Sequence, residues 1–268
     1  MKQIIKVFII LISLSSCISS PSEMKEQVSL SSKLQGFSNK TYNTNNFKIF
    51  SLQKISDNSS PINIYIEGDG RAWLSKRVVS PNPTPRNLFL VNLAQSDNSL
   101  NVIYFARPCQ FVEDDKCSKQ YWTTDRFSQP VIDSYREILS QYKDRDINFI
   151  AYSGGAAVAI LLASEMDNVR SIKTIAGNLD YKAFAEYHKV TPLKDEMDID
   201  SAIKKISNIT QTHYMGGKDE VITDAVFNSF KNKIENFESN SGHIKFITVP
   251  HATHTKGWDK LLKPKFLN

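Results

Sequence analysis

The chain has 268 residues, of which 41% are hydrophobic and 23% charged, with a formal net charge of +5. Its 33 basic and 28 acidic residues are interspersed without a Lys/Arg block of the kind that grips nucleic acid, so no nucleic-acid partner is expected. No internal repeat is visible, and beyond the N-terminus no apolar run is long enough for a membrane helix, so solenoid and polytopic membrane architectures are excluded.

Lys2 and Lys6 give a positive start, and Ile4 to Leu14 is almost purely apolar. That run is too short to span a bilayer comfortably and reads as a signal peptide. It lacks an A-x-A-like cleavage site. Leu14-Ser15-Ser16-Cys17 instead resembles a bacterial lipobox, in which the cysteine is acylated and becomes the mature N-terminus. Residues 1–17 are therefore expected to be a lipoprotein signal ending at Cys17. Its removal takes Lys2 and Lys6 with it and lowers the charge to +3. Residues 18–46 are rich in Ser, Asn, Thr, Lys and Gln and read as a flexible polar tether. Ile18, not aspartate, follows the cysteine. By resemblance to sorting patterns, the expected location is the bacterial cell envelope, on an outer membrane facing the periplasm.

Residues 47–268 suit one domain with a substantial core. Phe47 to Ile55 alternates and predicts an outer strand, and Ile62 to Ile66 a shorter, more buried one. A helix is expected over Asn87 to Gln95, a strand over Leu100 to Ala106 and a helix over Phe127 to Tyr142. A strand at Ile147 to Ile150 precedes a small-residue helix starting after Ser153. Further strands follow at Ser171 to Ala176, Ile209 to Met215 and Ile244 to Val249. A helix from Ala225 to Ile234 and another from Trp258 to Leu262 complete the series. This alternation predicts an α/β fold, with a mostly parallel sheet and helices on both faces. Residues 75–86, with Pro81, Pro83 and Pro85, read as a rigid surface excursion, and residues 181–206 as a small cap. Cys109 and Cys117 would close a disulfide in an oxidising envelope, and would be free thiols in a reducing compartment.

Ala151-Tyr152-Ser153-Gly154-Gly155 lies where a strand turns into a helix. Small-x-Ser-x-Gly in that setting is the pattern of a nucleophile elbow, which exposes the serine hydroxyl and aims the first helical N–H groups at a forming anion. Gly-Gly after a strand also serves ordinary tight turns. A nucleophilic serine needs a base to take its proton and an acid to hold that base. Asp219 follows the strand ending at Gly216-Gly217, and His254 follows the strand ending at Val249, in the order Ser153, Asp219, His254. His251 competes with His254, but a base on the loop further from the strand end has more reach toward Ser153. Asp224 competes with Asp219, though it reads better as a helix cap. Asp219 itself could be a plain turn residue. A zinc reading of His251-x-x-His254 lacks further ligands at characteristic spacing, and neither metal nor cofactor is expected. Gly154 would supply one oxyanion donor, and Asp69 or Gly70 of Glu67-Gly68-Asp69-Gly70 the second.

Tyr65-Ile66-Glu67-Gly68-Asp69-Gly70, Arg107-Pro108-Cys109-Gln110, Tyr152-Ser153-Gly154-Gly155 and Ala176-Gly177-Asn178-Leu179-Asp180 together resemble segments of bacterial envelope α/β-hydrolases of the lipoprotein type. The likeness covers about residues 60–260. It implies the α/β-hydrolase fold and a Ser-His-Asp triad, but no substrate. Ala151 departs from the usual G-x-S-x-G, putting a methyl group at a crowded position. Trp73, Trp122, Tyr121, Phe111 and Arg126 lie in long loops that could line an acyl pocket or simply pack the loops down. Asn178 and Asp180 either face that pocket or cap a helix. The expected function is a membrane-tethered serine hydrolase cleaving an ester of a small-molecule or lipid-like acyl substrate. A non-catalytic envelope binding protein on the same fold, or an acyltransferase using the same residues, are the alternatives.

Overall fold

The computed structural model describes residues 21–191, 193–237 and 243–262. The signal-peptide and lipobox readings, Cys17 included, lie outside these residues. In chain order the elements are α1 (Pro21–Lys33), β1 (Ser38–Asn43), β2 (Lys48–Ile55), β3 (Ile62–Ile66), β4 (Trp73–Ser75), β5 (Val78–Val79), α2 (Phe89–Gln95) and β6 (Asn101–Phe105). There follow α3 (Gln129–Leu139), β7 (Ile147–Tyr152), α4 (Gly155–Ala163), β8 (Val169–Ile175), α5 (Tyr181–His188), α6 (Ile199–Lys205), β9 (Thr210–Gly216), α7 (Asp224–Glu235) and β10 (Ile244–Val249). Among the described residues, eight strands form one sheet in the order β1-β2-β6-β3-β7-β8-β9-β10. From β6 to β10 every neighbouring pair is parallel, while β2 runs antiparallel to both β6 and β1.

The period of two along a strand divides the core between the two faces of this sheet. Ile64 and Ile66, Ile103 and Phe105, and Phe149 and Ala151 point to one face, where the apolar sides of α3, α4, α6 and α7 cover them. Tyr65, Val102 and Tyr104, and Ile150 and Tyr152 point to the other, under α1, α2 and Trp258. β6 is buried at every position, as expected of a parallel strand covered on both sides. α4 is buried all round and built mostly from Ala, Gly, Leu and Ile, so it can lie close to the sheet with α3 and α6 beside it. α7 turns Val226, Phe227, Phe230 and Ile234 inward on one stripe. Full burial of each such side chain contributes about 1.5–3 kcal/mol before entropy is counted.

Three expectations change. Residues 21–43 are not a loose tether: α1 buries Met24 and Val28, one turn apart on one side, and Phe37 follows them into the same core. Ser32 also receives a hydrogen bond from the Gln95 amide at 2.7 Å. Two apolar contacts per three turns were too few to stand out against the polar composition. With β1 paired alongside it, β2 is not the outer strand. Residues 181–206 are not a simple cap, because α6 inserts Ile199, Ala202 and Ile203 into the main core against α4 and α7. The excursion over 75–86 holds part of a short hairpin, in which β4 pairs with β5 and not back onto β3.

His213 of β9 has no exposed surface; its Nε2–H donates to Gln211 Oε1 (3.0 Å), its Nδ1 accepts from Thr174 Oγ1 (2.8 Å), and its ring stacks on Phe246 at 5.4 Å. Burial pushes its imidazole down to about 3, so it is neutral in the fold and takes up a proton only on unfolding. Stability from this group is therefore present above about pH 6.5 and is lost as the pH falls toward 3. Thermal melts across that window are expected to show a shallower acid-side fall in Tm for His213→Gln than for the parent chain, whatever the offset at pH 7.

Candidate active site

Most polar groups of the site stand at the carboxyl ends of the parallel strands: Glu67 to Gly70 after β3, Arg107 after β6, Ser153 after β7, Asp219 after β9 and His254 after β10. Ser153 adopts φ +50°, a left-handed backbone that costs a residue with a Cβ about 1–2 kcal/mol. The sheet and the following helix hold it there. Ser153 N donates to Ile175 O (3.1 Å), and its carbonyl accepts from Ala156 N (3.1 Å) and Asn178 N (2.9 Å). α4 can start at once because residue 155 is glycine. A Cβ there would lie 2.3 Å from Ile66 O and 2.6 Å from Glu67 O. Ala151 is tolerated because its methyl is fully buried in the sheet face, in register with Ile66 and Thr174.

Ser153 Oγ lies 2.9 Å from His254 Nε2, and His254 Nδ1 lies 2.9 Å from Asp219 Oδ2. Asp219 presents that oxygen because its other one, Oδ1, accepts from Val221 N (2.8 Å) and Ile222 N (2.9 Å). The Asp219 side chain has no exposed surface, whereas that of His254 retains 17%. His254 is also anchored through its backbone: its carbonyl accepts from Tyr152 OH (2.8 Å) and Trp258 Nε1 (3.3 Å). The imidazole thus has its orientation fixed from both ends while its edge toward Ser153 stays open. These two clamps were not foreseen from the sequence. Tyr152 precedes the serine and could have been read as facing the site, but Trp258 had no signal beyond its place after His254.

Beside this path, the backbone N–H groups of Gly154 and Asp69 find no protein acceptor among the described residues. The Asp69 carboxylate lies against Gly154 so closely that a Cβ there would fall 2.2 Å from Oδ1. Gly70, the other foreseen donor, has φ +64° and is packed on Pro83 O and the Gln110 amide. Asp69 is gripped by Arg107 Nη1 (2.9 Å) and Arg126 Nη1 (3.3 Å), and Arg107 also donates to Arg126 O. Both guanidiniums sit over the Phe127 ring, at 5.4 and 5.2 Å. Gln110 ties the loops together, accepting from Arg107 N (3.0 Å) and donating to Gly68 O (3.0 Å). Two buried carboxyls flank the pair of arginines. Desolvation raises Glu67 to about 7, against hydrogen bonds from Gly68 N and Tyr104 OH. It raises Glu196 to about 8, with Arg126 opposing. The sequence reading offered Arg126 as a loop residue that lines an acyl pocket or packs the loop down, and gave Arg107 and Gln110 no individual role. Their position directly after an apolar strand was the available signal.

The remaining candidates fall elsewhere. His251 is exposed, and His254 has both ring nitrogens engaged, so the pair offers no zinc chelate. Asp224 is exposed in the first turn of α7. Asp180 caps α5 through Ala183 N and pairs with Lys233 at 2.7 Å, which makes it structural. Asn178 is buried, with its Oδ1 lacking a partner among the described residues. Cys109 and Cys117 form a disulfide with a Cα separation of 5.7 Å, which packs with Ala72 and Trp122. Phe111 is buried against Phe50, while Trp73 is exposed.

No protein-family model and no curated protein matches the chain. Solved structures do. Est1E from Butyrivibrio proteoclasticus, solved with ferulic acid bound, superposes with a TM-score of 0.60 at 12% identity, covering 85% of this chain and 97% of that one. The esterase Pf2001 of Pyrococcus furiosus gives a TM-score of 0.57 at 15% identity, with 85% and 89% covered. An alpha-beta serine hydrolase homologue from Coxiella burnetii gives 0.53 at 15% identity, with 84% and 91% covered. Together with the strand order and the helices on both faces, these likenesses show that the chain has the α/β-hydrolase fold.

Proposed function

We propose that the protein is a serine hydrolase that cleaves an ester of a small-molecule or lipid-like acyl group, tethered to a membrane of the bacterial envelope through an acylated Cys17. The observation that carries the catalytic reading is the continuous hydrogen-bonded path from Ser153 Oγ through His254 to buried Asp219. The esterase and serine hydrolase names among the structural likenesses support it, and ferulic acid in Est1E suits a small organic acyl group.

In this mechanism Ser153 Oγ attacks the ester carbonyl carbon and gives its proton to His254 Nε2. Asp219 holds the Nδ1–H tautomer and stabilises the imidazolium that results. The carbonyl oxygen becomes an oxyanion, met by the Gly154 N–H and by the N–H of Asp69 or Gly70. Collapse re-forms the carbonyl and breaks the bond to the alkoxy group, which leaves as the alcohol with the proton from His254. Water then gives a proton to His254 and attacks the acyl-enzyme. The second collapse releases the acid and returns the proton to Ser153.

A fluorophosphonate probe is expected to label the protein on one residue and to leave Ser153→Ala unlabelled; labelling that persists in this variant rejects the assignment. Asp219→Asn should keep the fold and lower kcat by about 10⁴-fold, as loss of the correct tautomer does in serine hydrolases. Gly154→Ala forces the Asp69 carboxylate to move. A fall in kcat of roughly 10²-fold or more is expected, as for one lost oxyanion donor, with KM changing less. Cys17→Ala should abolish acylation in cells and move the protein out of the detergent phase, and unchanged partitioning would refute the anchor.

A further inference from the structure

The chain that leaves the Gly68–Gly70 loop forms an exposed hairpin that is both basic and apolar. Between Asp69 and Asp97 it holds Arg71, Lys76, Arg77 and Arg86 and no acidic residue. β4 and β5 fold its middle into a hairpin with Lys76 and Arg77 at the turn. Trp73, Leu74 and Val78 beside that turn are 47%, 44% and 51% exposed. Large apolar groups so exposed, next to paired cations and without a single carboxylate, make a chemically two-sided tip.

This tip is held out by a rigid base. Arg71 N donates to Pro83 O (2.9 Å), Ser80 N to Ala72 O (2.9 Å) and Trp122 Nε1 to Ser80 O (3.1 Å). The Cys109–Cys117 disulfide packs under Ala72 and Trp122. The hairpin therefore cannot bury its own apolar side chains without breaking these bonds.

Its position adds a second argument. The hairpin follows directly on the loop against Ser153, at the carboxyl edge of the sheet. α1 runs toward that same edge. Lys25 Nζ lies 5.6 Å from the Phe50 ring, and Phe50 O bonds Ala106 N just beyond the carboxyl end of β6. At the other end of α1, Ser32 is bonded to Gln95, close to the amino end of β6. The start of α1 at Pro21 thus faces the hairpin's edge, and Cys17 is four residues earlier in the chain.

We propose that the β4–β5 hairpin docks on an anionic lipid bilayer, with Trp73, Leu74 and Val78 entering the headgroup boundary and Arg71, Lys76, Arg77 and Arg86 meeting the lipid anions. A second copy of the chain is disfavoured as occupant because it would oppose two hairpins that carry only positive charge. Docking turns the Ser153 edge toward the bilayer, which suits the lipid-like branch of the proposed substrate. The docking itself depends neither on catalysis nor on Cys17.

Of the three tryptophans, Trp122 and Trp258 are buried, so lipid contact is read at Trp73. The Cys17→Ala chain is titrated with vesicles of phosphatidylcholine alone or mixed with phosphatidylglycerol, with brominated acyl chains as quenchers. A blue shift and quenching are expected with phosphatidylglycerol and little with phosphatidylcholine. Lys76→Ala with Arg77→Ala should lower partitioning about 25-fold, from roughly fivefold per cation. Leu74→Ser with Val78→Ser should lower it at least tenfold. Both double variants should still be labelled by fluorophosphonate in solution, and Ser153→Ala should bind vesicles like the parent, so failure of docking and failure of catalysis are read separately. Trp73 emission indifferent to vesicles, or partitioning unchanged in the double variants, overturns the proposal. So does protection of Trp73 that rises with protein concentration in the absence of lipid, which would make a second copy the occupant.

Discussion

Every polar group of the site depends on how closely β3, β7 and the first turn of α4 approach one another. The loop after β3 must pass over the start of α4 near enough for the Asp69 carboxylate to lie against Gly154. Residue 155 has no room for a side chain, because Ile66 O and Glu67 O occupy it. That approach leaves Ser153 a left-handed backbone, and the hydrogen bond it donates to Ile175 of β8 and the one it accepts from Asn178 hold it there. A small-residue helix then follows of necessity, since α4 is enclosed by the sheet, α3 and α6. The strain at one residue is thus supported by the packing of the largest core cluster.

The histidine is held by a different means. It lies on a long loop after an edge strand, where packing alone would leave it free to wander. Two hydrogen bonds to its carbonyl, donated by Tyr152 of β7 and by Trp258 after the loop, and one that its Nδ1–H donates to Asp219 beyond β9 fix it instead. Tyr152 does this from the residue next to Ser153, so the same strand sets the position of both Ser153 and His254.

This division explains what could be read from the amino-acid order. The parallel strands were legible because β3, β6 and β7 are mostly apolar, and the candidate site was legible because Ser153, Asp219 and His254 each follow an expected strand. α1 was not, since its contact with the body is Met24, Val28 and a few serine and glutamine hydrogen bonds inside a polar stretch. α6 was hidden for another reason: it is a single short amphipathic helix whose burial is decided by α4 and α7, far away in the chain. The arginine pair escaped because Arg107 and Arg126 acquire meaning only once Asp69 is seen between them. Spatial pairing of charges from two loops leaves no periodicity to detect.

That pair resolves an apparent contradiction in the site. A carboxylate beside Gly154 should oppose negative charge developing on a substrate oxygen, and Asp69 lies there. Two guanidiniums on Asp69 offset it, and neither can withdraw easily, because Arg107 is buried and Arg126 nearly so. Glu67 and Glu196 would cancel these cations if both were charged. Desolvation instead raises them to about 7 and about 8, so near neutral pH much of their negative charge is absent. The local balance then favours an anion in front of the Gly154 N–H. The Asp69 side chain, far from excluding an anion there, holds two arginines beside Gly154.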